Sequence, residues 1–390
     1  MALKKGKETL KKDAKVKKRA SKKGRFLPFI KAPLAVRILI FLAALIFLLV
    51  GLYQLLTYCV ASYFASKIQY QTTPETNANY QQVPLTDAWQ PATENWTGED
   101  VHGILNNQNL PAISDTRDVT NVLLLATDSR GQDIGRSDTM ILATINRKTG
   151  TIVLTSFLRD ILAKYPEFPK NPISGGTGYD KLTHAHAYGG PELTMAVFKE
   201  TFNIQVDYYA RVNFDSFVHI IDSVGGVDLY LTEAEVRFIN EGVNDADVFA
   251  MLGSNEPAAL LEVREGMHHL TGLHALRHAR NRYTNGDDRA RTDRQRIIID
   301  ALIKKAQGLS ISALTQSLNT ILPMITTNMP KSMVTEVIQD APTYIFYDLE
   351  SLRLPLEGSY TVDSYNFILD LEKNCKYLYE KIYGESVSSS

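Results

Sequence analysis

Cysteine is nearly absent. Cys59 and Cys375 are the only two in 390 residues, and neither sits in the closely spaced pairs that hold zinc or staple a small disulfide scaffold. They lie near opposite ends of the chain, with Cys59 at the border of an apolar run, so two separate thiols are expected rather than a bridge. A net charge of one sign is missing as well. Forty-two Lys and Arg offset 43 Asp and Glu to leave −1, which excludes a generally basic nucleic-acid binder. No internal repeat is visible. Gly225-Gly226 lacks the Lys-Ser/Thr pair of a phosphate-binding loop, and reads instead as a helix-to-strand turn. Long hydrophobic runs are absent with one exception.

The near-zero charge hides an asymmetry. The first 25 residues carry ten Lys and two Arg against Glu8 and Asp13, about +10, so the remainder sums to about −11. The apolar run follows. Ile38–Tyr58 reads ILIFLAALIFLLVGLYQLLTY without a charge, and at 1.5 Å per residue it crosses a ~30 Å hydrocarbon layer. The expectation is a basic cytoplasmic tail over 1–37, a transmembrane anchor over 38–58 and everything beyond it outside the cell membrane. A cleaved signal peptide is the competing reading, but the basic region and the apolar run are both longer than a signal needs. The tail has no apolar periodicity for a DNA-binding fold; anionic headgroups are its natural partner.

Residues 59–117 are rich in Gln, Asn, Thr and Pro and read as an extracytoplasmic spacer, with a short helix near Glu99–Asn107. From 118 to 384 one α/β domain is expected, and the Ser-rich end at 385–390 is expected to be disordered. Val119–Ala126, Thr139–Asn146, Thr151–Phe157, Tyr208–Val212, Val227–Leu231 and Leu352–Leu356 have the β-branched, Leu-rich character of strands. Pro191–Phe202, Asn213–Val224, Thr271–Asn281, Thr292–Ala306, Ser312–Leu322, Ser332–Gln339 and Ser364–Tyr383 have helical patterns. Near-continuous apolar strands imply a sheet covered on both faces. The predicted architecture is therefore an α/β/α sandwich with a central mixed sheet, preceded by one transmembrane helix.

Polar residues gather where the first three strands end: Thr127-Asp128-Ser129-Arg130-Gly131, Arg136-Ser137-Asp138-Thr139 and Leu158-Arg159-Asp160. Loops at strand ends are where α/β sheets place ligands. Asp128 and Asp138 flank one connection and could share a hard cation such as Mg²⁺. Arg136 and Arg159 offer forked donors that suit phosphate. A second cluster holds Arg277, Arg280 and Arg282, then Asp287, Asp288, Arg289, Arg291, Arg294, Gln295 and Arg296. As a solvated Arg–Asp face, each of its pairs would be worth under about 1 kcal/mol. Taken with the strand-end set, an oxyanion site is the better account, and it would crowd like charges in the empty protein. His184 and His186 lack a third metal ligand at a suitable spacing and read as parts of a structural loop. His268-His269 reads as packing or capping before a helix, and Asn213 as an N-cap.

The blocks NVLLLATDSRG, RSDTMILATIN, DKLTHAHAYGG, YYARVNFDSF, DSVGGVDLYL, HHLTGLHALRHARNRY and GDDRARTDRQR occur in the order seen in the LytR-CpsA-Psr family, which this chain resembles over about Asn121 to Ile299. The resemblance implies a phosphotransferase that moves a glycopolymer, of teichoic acid or capsular polysaccharide type, from a polyprenyl diphosphate carrier to peptidoglycan. It implies Mg²⁺ held by Asp128 and Asp138. It further implies substrate contacts from Arg136, Arg159, Arg280, Arg282, Arg291 and Gln295, with Asp138, Arg159, Arg280 and Arg282 taking part in the chemistry. Whether an aspartate serves as base or as metal ligand stays open. Ala126, Leu158 and Thr183 stand where the family usually has Gly, Pro and Asn. The alternatives are a polyprenyl-diphosphate phosphohydrolase, or a non-catalytic receptor or scaffold for lipid-linked glycans in wall assembly.

Overall fold

The computed structural model describes residues 34–72, 110, 118–128, 134–166, 178–245, 257–281, 283–284, 288–344, 346–363 and 366–384. The basic tail through residue 33, the short helix expected near Glu99–Asn107, most of the spacer, Arg282 and the tail at 385–390 lie outside the described residues. The chain divides into two compact units, Met1–Val60 and Ala61–Ser390.

Helix α1 (Leu34–Ala65) continues past both ends of the apolar run. Its span Leu45–Ala65 has a mean hydropathy of 1.9 and is long and apolar enough to cross a membrane. Its last turn belongs to the second unit, where Ala61, Phe64 and Ala65 are buried. A two-residue strand follows, β1 (Gln69–Tyr70), so residues of the expected spacer are part of the folded unit.

The second unit then runs β2 (Val119–Thr127), β3 (Ser137–Asn146), β4 (Thr151–Phe157), β5 (Leu162–Lys164), β6 (Tyr179–Lys181), α2 (His184–Phe202), β7 (Tyr208–Asn213), α3 (Phe214–Ser223), β8 (Val227–Leu231) and α4 (Glu233–Gly242). It continues with β9 (Gly266–Leu270), α5 (Gly272–Ala279), α6 (Asp288–Gln307), α7 (Ile311–Ile321), β10 (Thr326–Thr327), α8 (Lys331–Tyr344), β11 (Asp348–Leu354), β12 (Tyr360–Asp363), β13 (Asn366–Leu369) and α9 (Leu371–Tyr383). Seven strands form the central sheet in the order β1-β10-β7-β2-β3-β4-β11. It is mixed: β7 is parallel to β2 and β11 to β4, while β2, β3 and β4 are antiparallel neighbours.

Period-two alternation divides the sheet into two chemistries. Leu123, Leu125, Met140, Leu142 and Tyr209 point to one face, where Phe198 and Phe202 of α2 and Leu378 and Tyr379 of α9 complete a closed core. Leu124, Ala126, Ile141, Ala210 and Val212 point to the other face and line a cavity under α3, α5 and α6. Local signals set the helices. Asn213 caps α3 by accepting from Ser216 N at 2.8 Å, and Thr232 with Glu235 forms a capping box on α4. Helix α2 bends at Gly189-Gly190-Pro191, where Gly190 takes φ 67°, ψ −161°, a conformation essentially confined to glycine.

Two local expectations need correction, a third holds only in its packing half, and one helix was not foreseen. Ser364–Tyr383 is not one helix. Phe367, Ile368 and Leu369 form β13 against β12, and Asp370 caps α9 by accepting from Lys373 N. His268 and His269 lie on β9, paired with β8, and the cap of α5 is Thr271 with His274. His184 and His186 open α2 rather than sitting in a loop. Helix α4 buries only Val236, Phe238, Ile239 and Gly242, too short an apolar face among its charged neighbours to mark a helix in the sequence.

Helices α3 and α5 touch at Gly272, where an added Cβ would stand 2.3 Å from the Val218 carbonyl oxygen. Gly272→Ala should therefore push α5 off α3 and cost about 1–3 kcal/mol, seen as a lower melting temperature. An unchanged melting temperature would show that this contact yields freely.

Candidate active site

The site begins with an irregularity in the sheet. Strands β2 and β3 pair in register from Val119↔Asn146 to Ala126↔Thr139, then jump to Thr127↔Ser137. Asp138 is the extra residue of a bulge. A bulge bends its strand and re-aims a side chain; here Asp138 Oδ1 accepts from Arg159 Nη1 at 2.8 Å and lies 4.0 Å from Arg291 Nη1. The charges continue in alternation. Arg159 Nε stands 3.4 Å from Asp160 Oδ2, and Lys181 Nζ donates to Asp160 Oδ1 at 2.8 Å. Arg291 is 2% exposed, so its guanidinium works in a medium where charge interactions are strong.

The loops bearing these groups are pinned from below. Thr183 Oγ1 donates to Ser137 O at 2.9 Å, Thr183 N to Arg159 O at 3.0 Å, and His186 Nδ1 to Gly135 O at 2.9 Å. The hydroxyl of Thr183 thus holds the β3 entry. The adjacent Asp180 carboxylate receives His184 Nδ1 at 3.0 Å, Tyr188 Oη at 2.6 Å and Lys181 N at 2.7 Å. Burial pushes this carboxyl up, but these hydrogen bonds outweigh it and hold Asp180 below the usual carboxylate range.

Beyond Asp138 the cavity on the second sheet face encloses about 510 Å³. Its lining includes the polar Asp138, Arg277, Arg280, Arg291 and Gln295, together with strand residues such as Leu124 and Ile141, Phe214, Phe217 and Ile220 of α3, and Ile299 and Leu302 of α6. One face of α6 therefore changes from Arg291 and Gln295 to Ile299 and Leu302 along its length. Such a space suits an anion joined to an apolar chain.

Of the residues singled out in the sequence, Asp138, Arg159 and Arg291 are brought into one charge cluster, and Arg280 and Gln295 line the same cavity. Arg280 also stacks over the Phe214 ring at 5.3 Å. Asp128 and Arg136 stand beside the bulge and bind each other through the backbone: Arg136 N donates to Asp128 Oδ1, and Asp128 N to Arg136 O at 3.1 Å. The Arg136 side chain is exposed. The expected crowding of like charges is eased, because Asp138 stands between Arg159 and Arg291. Arg277 lines the cavity too, its guanidinium 4.1 Å from the Phe238 ring centroid; its i, i+3 relation to Arg280 was the available signal. Arg294 and Arg296, by contrast, are structural. Arg294 bonds Glu235 Oε1 at 2.9 Å and Asn281 O at 3.0 Å, while Arg296 and Arg353 pair with Asp293.

The family model described as LytR_cpsA_psr family matches residues 81–381. The chain belongs to the LytR_cpsA_psr family. Among its relatives, the TagU polyisoprenyl-teichoic acid–peptidoglycan teichoic acid transferase of Oceanobacillus iheyensis is 35% identical over 201 residues, 50% of this chain and 53% of that protein. The chain thus spans about half the length of that relative. The TagU of Bacillus anthracis is 30% identical over 274 residues, 69% of this chain and 80% of its own. Among solved structures, B. subtilis TagT bound to LI-WTA superposes with a TM-score of 0.51 at 26% identity, covering 71% of this chain and 94% of that one. The mixed seven-stranded sheet is the fold of this family.

Within this LytR_cpsA_psr domain the arginine helix α5 is sensitive to acid. Burial pushes the His278 imidazole down to about 4 and lowers that of His274 as well. Between pH 6.5 and 4 the unfolded chain binds protons that the folded chain refuses, so stability falls as pH drops through that window. For His278 the loss is on the order of 3 kcal/mol. Thermal melts from pH 7 to 4.5 should show this slope, and His278→Gln should flatten it; equal slopes in both proteins would rule the imidazole out.

Proposed function

We propose that this chain is a membrane-anchored transferase that moves a glycopolymer from a polyprenyl diphosphate carrier to peptidoglycan on the outer side of the membrane. The observation that carries this reading is a cavity whose lining joins guanidiniums to apolar side chains, with Arg291 and Gln295 giving way to Ile299 and Leu302 along α6. TagU relatives carry the name of such a transferase, and the TagT neighbour holds LI-WTA. The basic residues ahead of α1 favour an N-terminus on the cytoplasmic side.

In this reading the diphosphate lies against Arg159, Arg280 and Arg291, with the carrier chain between the sheet and α6. An acceptor sugar hydroxyl attacks the phosphorus that bears the glycan. The new phosphorus–oxygen bond forms as the diphosphate bridge breaks, polyprenyl phosphate leaves, and the hydroxyl proton passes to a nearby carboxylate or to water. Negative charge grows on the bridging and leaving oxygens, where preplaced guanidiniums stabilise it. Asp138 holds Arg159 and Arg291 at a fixed separation. Arg282, which follows Arg280 in sequence, belongs to the same proposed set.

The residues fit Mg²⁺. Among the described residues no three His, Cys, Asp or Glu side chains form a protein cage for a metal. Mg²⁺ needs none, since it commonly takes one or two carboxylates and completes its shell with water and substrate phosphate oxygens. Asp128, just past the end of β2, and Asp138 in β3, at the two ends of one loop, would be that donor set. When bound, the ion would neutralise part of the diphosphate charge.

In membranes holding the full chain, Asp138→Asn and Arg291→Ala should each lower glycan transfer by about 10²–10³-fold, and EDTA should stop it until Mg²⁺ is restored. Transfer that persists at wild-type rate in both variants would refute the site, and persistence in EDTA the metal. Release of polyprenyl phosphate at the same rate without a glycan acceptor would assign a phosphohydrolase instead. Protease added outside wall-less cells should remove the chain beyond Ser66; protection would reverse the topology.

A further inference from the structure

Charge is absent from one long surface segment. From Ala306 to Pro330 the chain contains no Asp, Glu, Lys or Arg, although 22% of the whole chain is charged. Its later part reaches the core, with Leu322, Thr327 and Met329 buried; its earlier part lies at the surface. It includes α7, whose inner side is fixed by Ser317 Oγ donating to Ser223 O at 2.7 Å. Its outer side leaves Ile311 87% and Leu314 37% exposed, one turn apart. Lysines bracket it: Lys304 and Lys305 before, Lys331 after. Water gains nothing from an exposed Ile on an uncharged helix, whereas the boundary of a bilayer accepts apolar side chains, hydroxyls and amides and draws flanking lysines to its phosphates.

A second, independent observation places this segment at the bilayer. Tyr63, five residues past the apolar run, donates its hydroxyl to Asn319 of α7 at 3.4 Å, and Lys67 Nζ sits 4.8 Å from the Tyr63 ring centroid. Gln69 then donates its side-chain amide to Pro323 O at 2.6 Å and its backbone N–H to Ile325 O at 3.0 Å. By chain reach alone, five residues separate Tyr63 from Tyr58, at most about 18 Å of chain. The middle of α7 is therefore bonded to a residue that covalent connection keeps near the end of the apolar run, and a tyrosine beside a lysine is a pairing suited to a bilayer boundary.

We propose that α7 and the uncharged segment around it form a second membrane contact, lying on the outer surface of a bilayer with Ile311 and Leu314 inserted among the lipid headgroups and the flanking lysines on anionic phosphates. The bilayer is the occupant rather than another protein, because the covalent anchor already holds this face at the lipid. Ile325 belongs to the same segment and also lines the apolar part of the cavity. If the transfer reading holds, the contact places the cavity's apolar side against the lipid, where a carrier chain can pass between them.

The test uses the full chain in nanodiscs of phosphatidylcholine with phosphatidylglycerol, in a Cys59→Ser background; the other cysteine, Cys375, is buried. An environment-sensitive fluorophore is attached at Ile311→Cys or Leu314→Cys, or at Phe346→Cys as a control. Phe346 is 87% exposed and precedes β11, at the sheet edge opposite β1, about 29 Å away by strand spacing. Lipids brominated near the headgroup should quench the first two labels several-fold more than the third. Equal, weak quenching at all three positions would overturn the proposal. So would emission at Ile311 that changes with protein density rather than with brominated lipid, which would indicate a second copy. This readout is indifferent to catalysis, so its failure and that of the transferase reading are separable. As a further check, Ile311→Glu with Leu314→Glu should keep the wild-type melting temperature and abolish the lipid-dependent quenching of a label at Leu318→Cys; unchanged quenching would count against the contact.

Discussion

Asp138 stands between two guanidiniums, and much of the site depends on that placement. Without a carboxylate between them, Arg159 and Arg291 would repel each other across a space of low polarizability. With it, the two guanidiniums are held in one cluster. The bulge makes this possible. In a regular ladder, Asp138 would follow the alternation that puts Thr139 and Ile141 against the cavity and Met140 in the core. One inserted residue changes the aim of the carboxylate without disturbing the pairing below it. The Thr183 hydroxyl, bonded to Ser137 O, then fixes the residue just before the bulge.

The two sides of the sheet have been put to different uses. One is filled by aromatic residues: Phe157, Phe198 and Phe202 are in mutual contact, with ring centroids 4.7–5.5 Å apart. The other keeps smaller side chains, Ala126, Ala210 and Val212, where space is needed. A closed core on one side supplies rigidity, and an unfilled slot on the other supplies a place for a ligand. Packing this tight is hardly compressible, so the strand ends hold their charged groups steady.

Much of this was legible in the sequence, for physical reasons. Strands β2, β3 and β4 announce themselves because each is long, β-branched and bounded by turn residues. Asn213 and Gly225-Gly226 were readable since a cap and a positive φ each demand a particular residue type; both glycines do take φ 79°. The charged set at the strand ends was visible as a cluster. The bulge was not, because one extra residue leaves no trace in an apolar–polar pattern. Nor could the sequence divide the arginines: Arg294 and Arg291 lie three apart on α6, yet one braces Glu235 and the other faces Asp138. Strand β13 was hidden because its three apolar residues run straight into the amphipathic pattern of α9. Only Asp370, as a cap, marks the border.

The stripe on α6 from Arg291 to Leu302 takes in twelve residues, about 16 Å of helix from first to last. That is roughly half the thickness of a bilayer's hydrocarbon core. A carrier long enough to cross the bilayer cannot be swallowed whole by a groove of that length. On the proposed reading, most of it stays dissolved in lipid while its head is handled, so the substrate arrives on a leash. The leash limits the search to two dimensions, and it keeps the spent carrier in the membrane, where it can be used again.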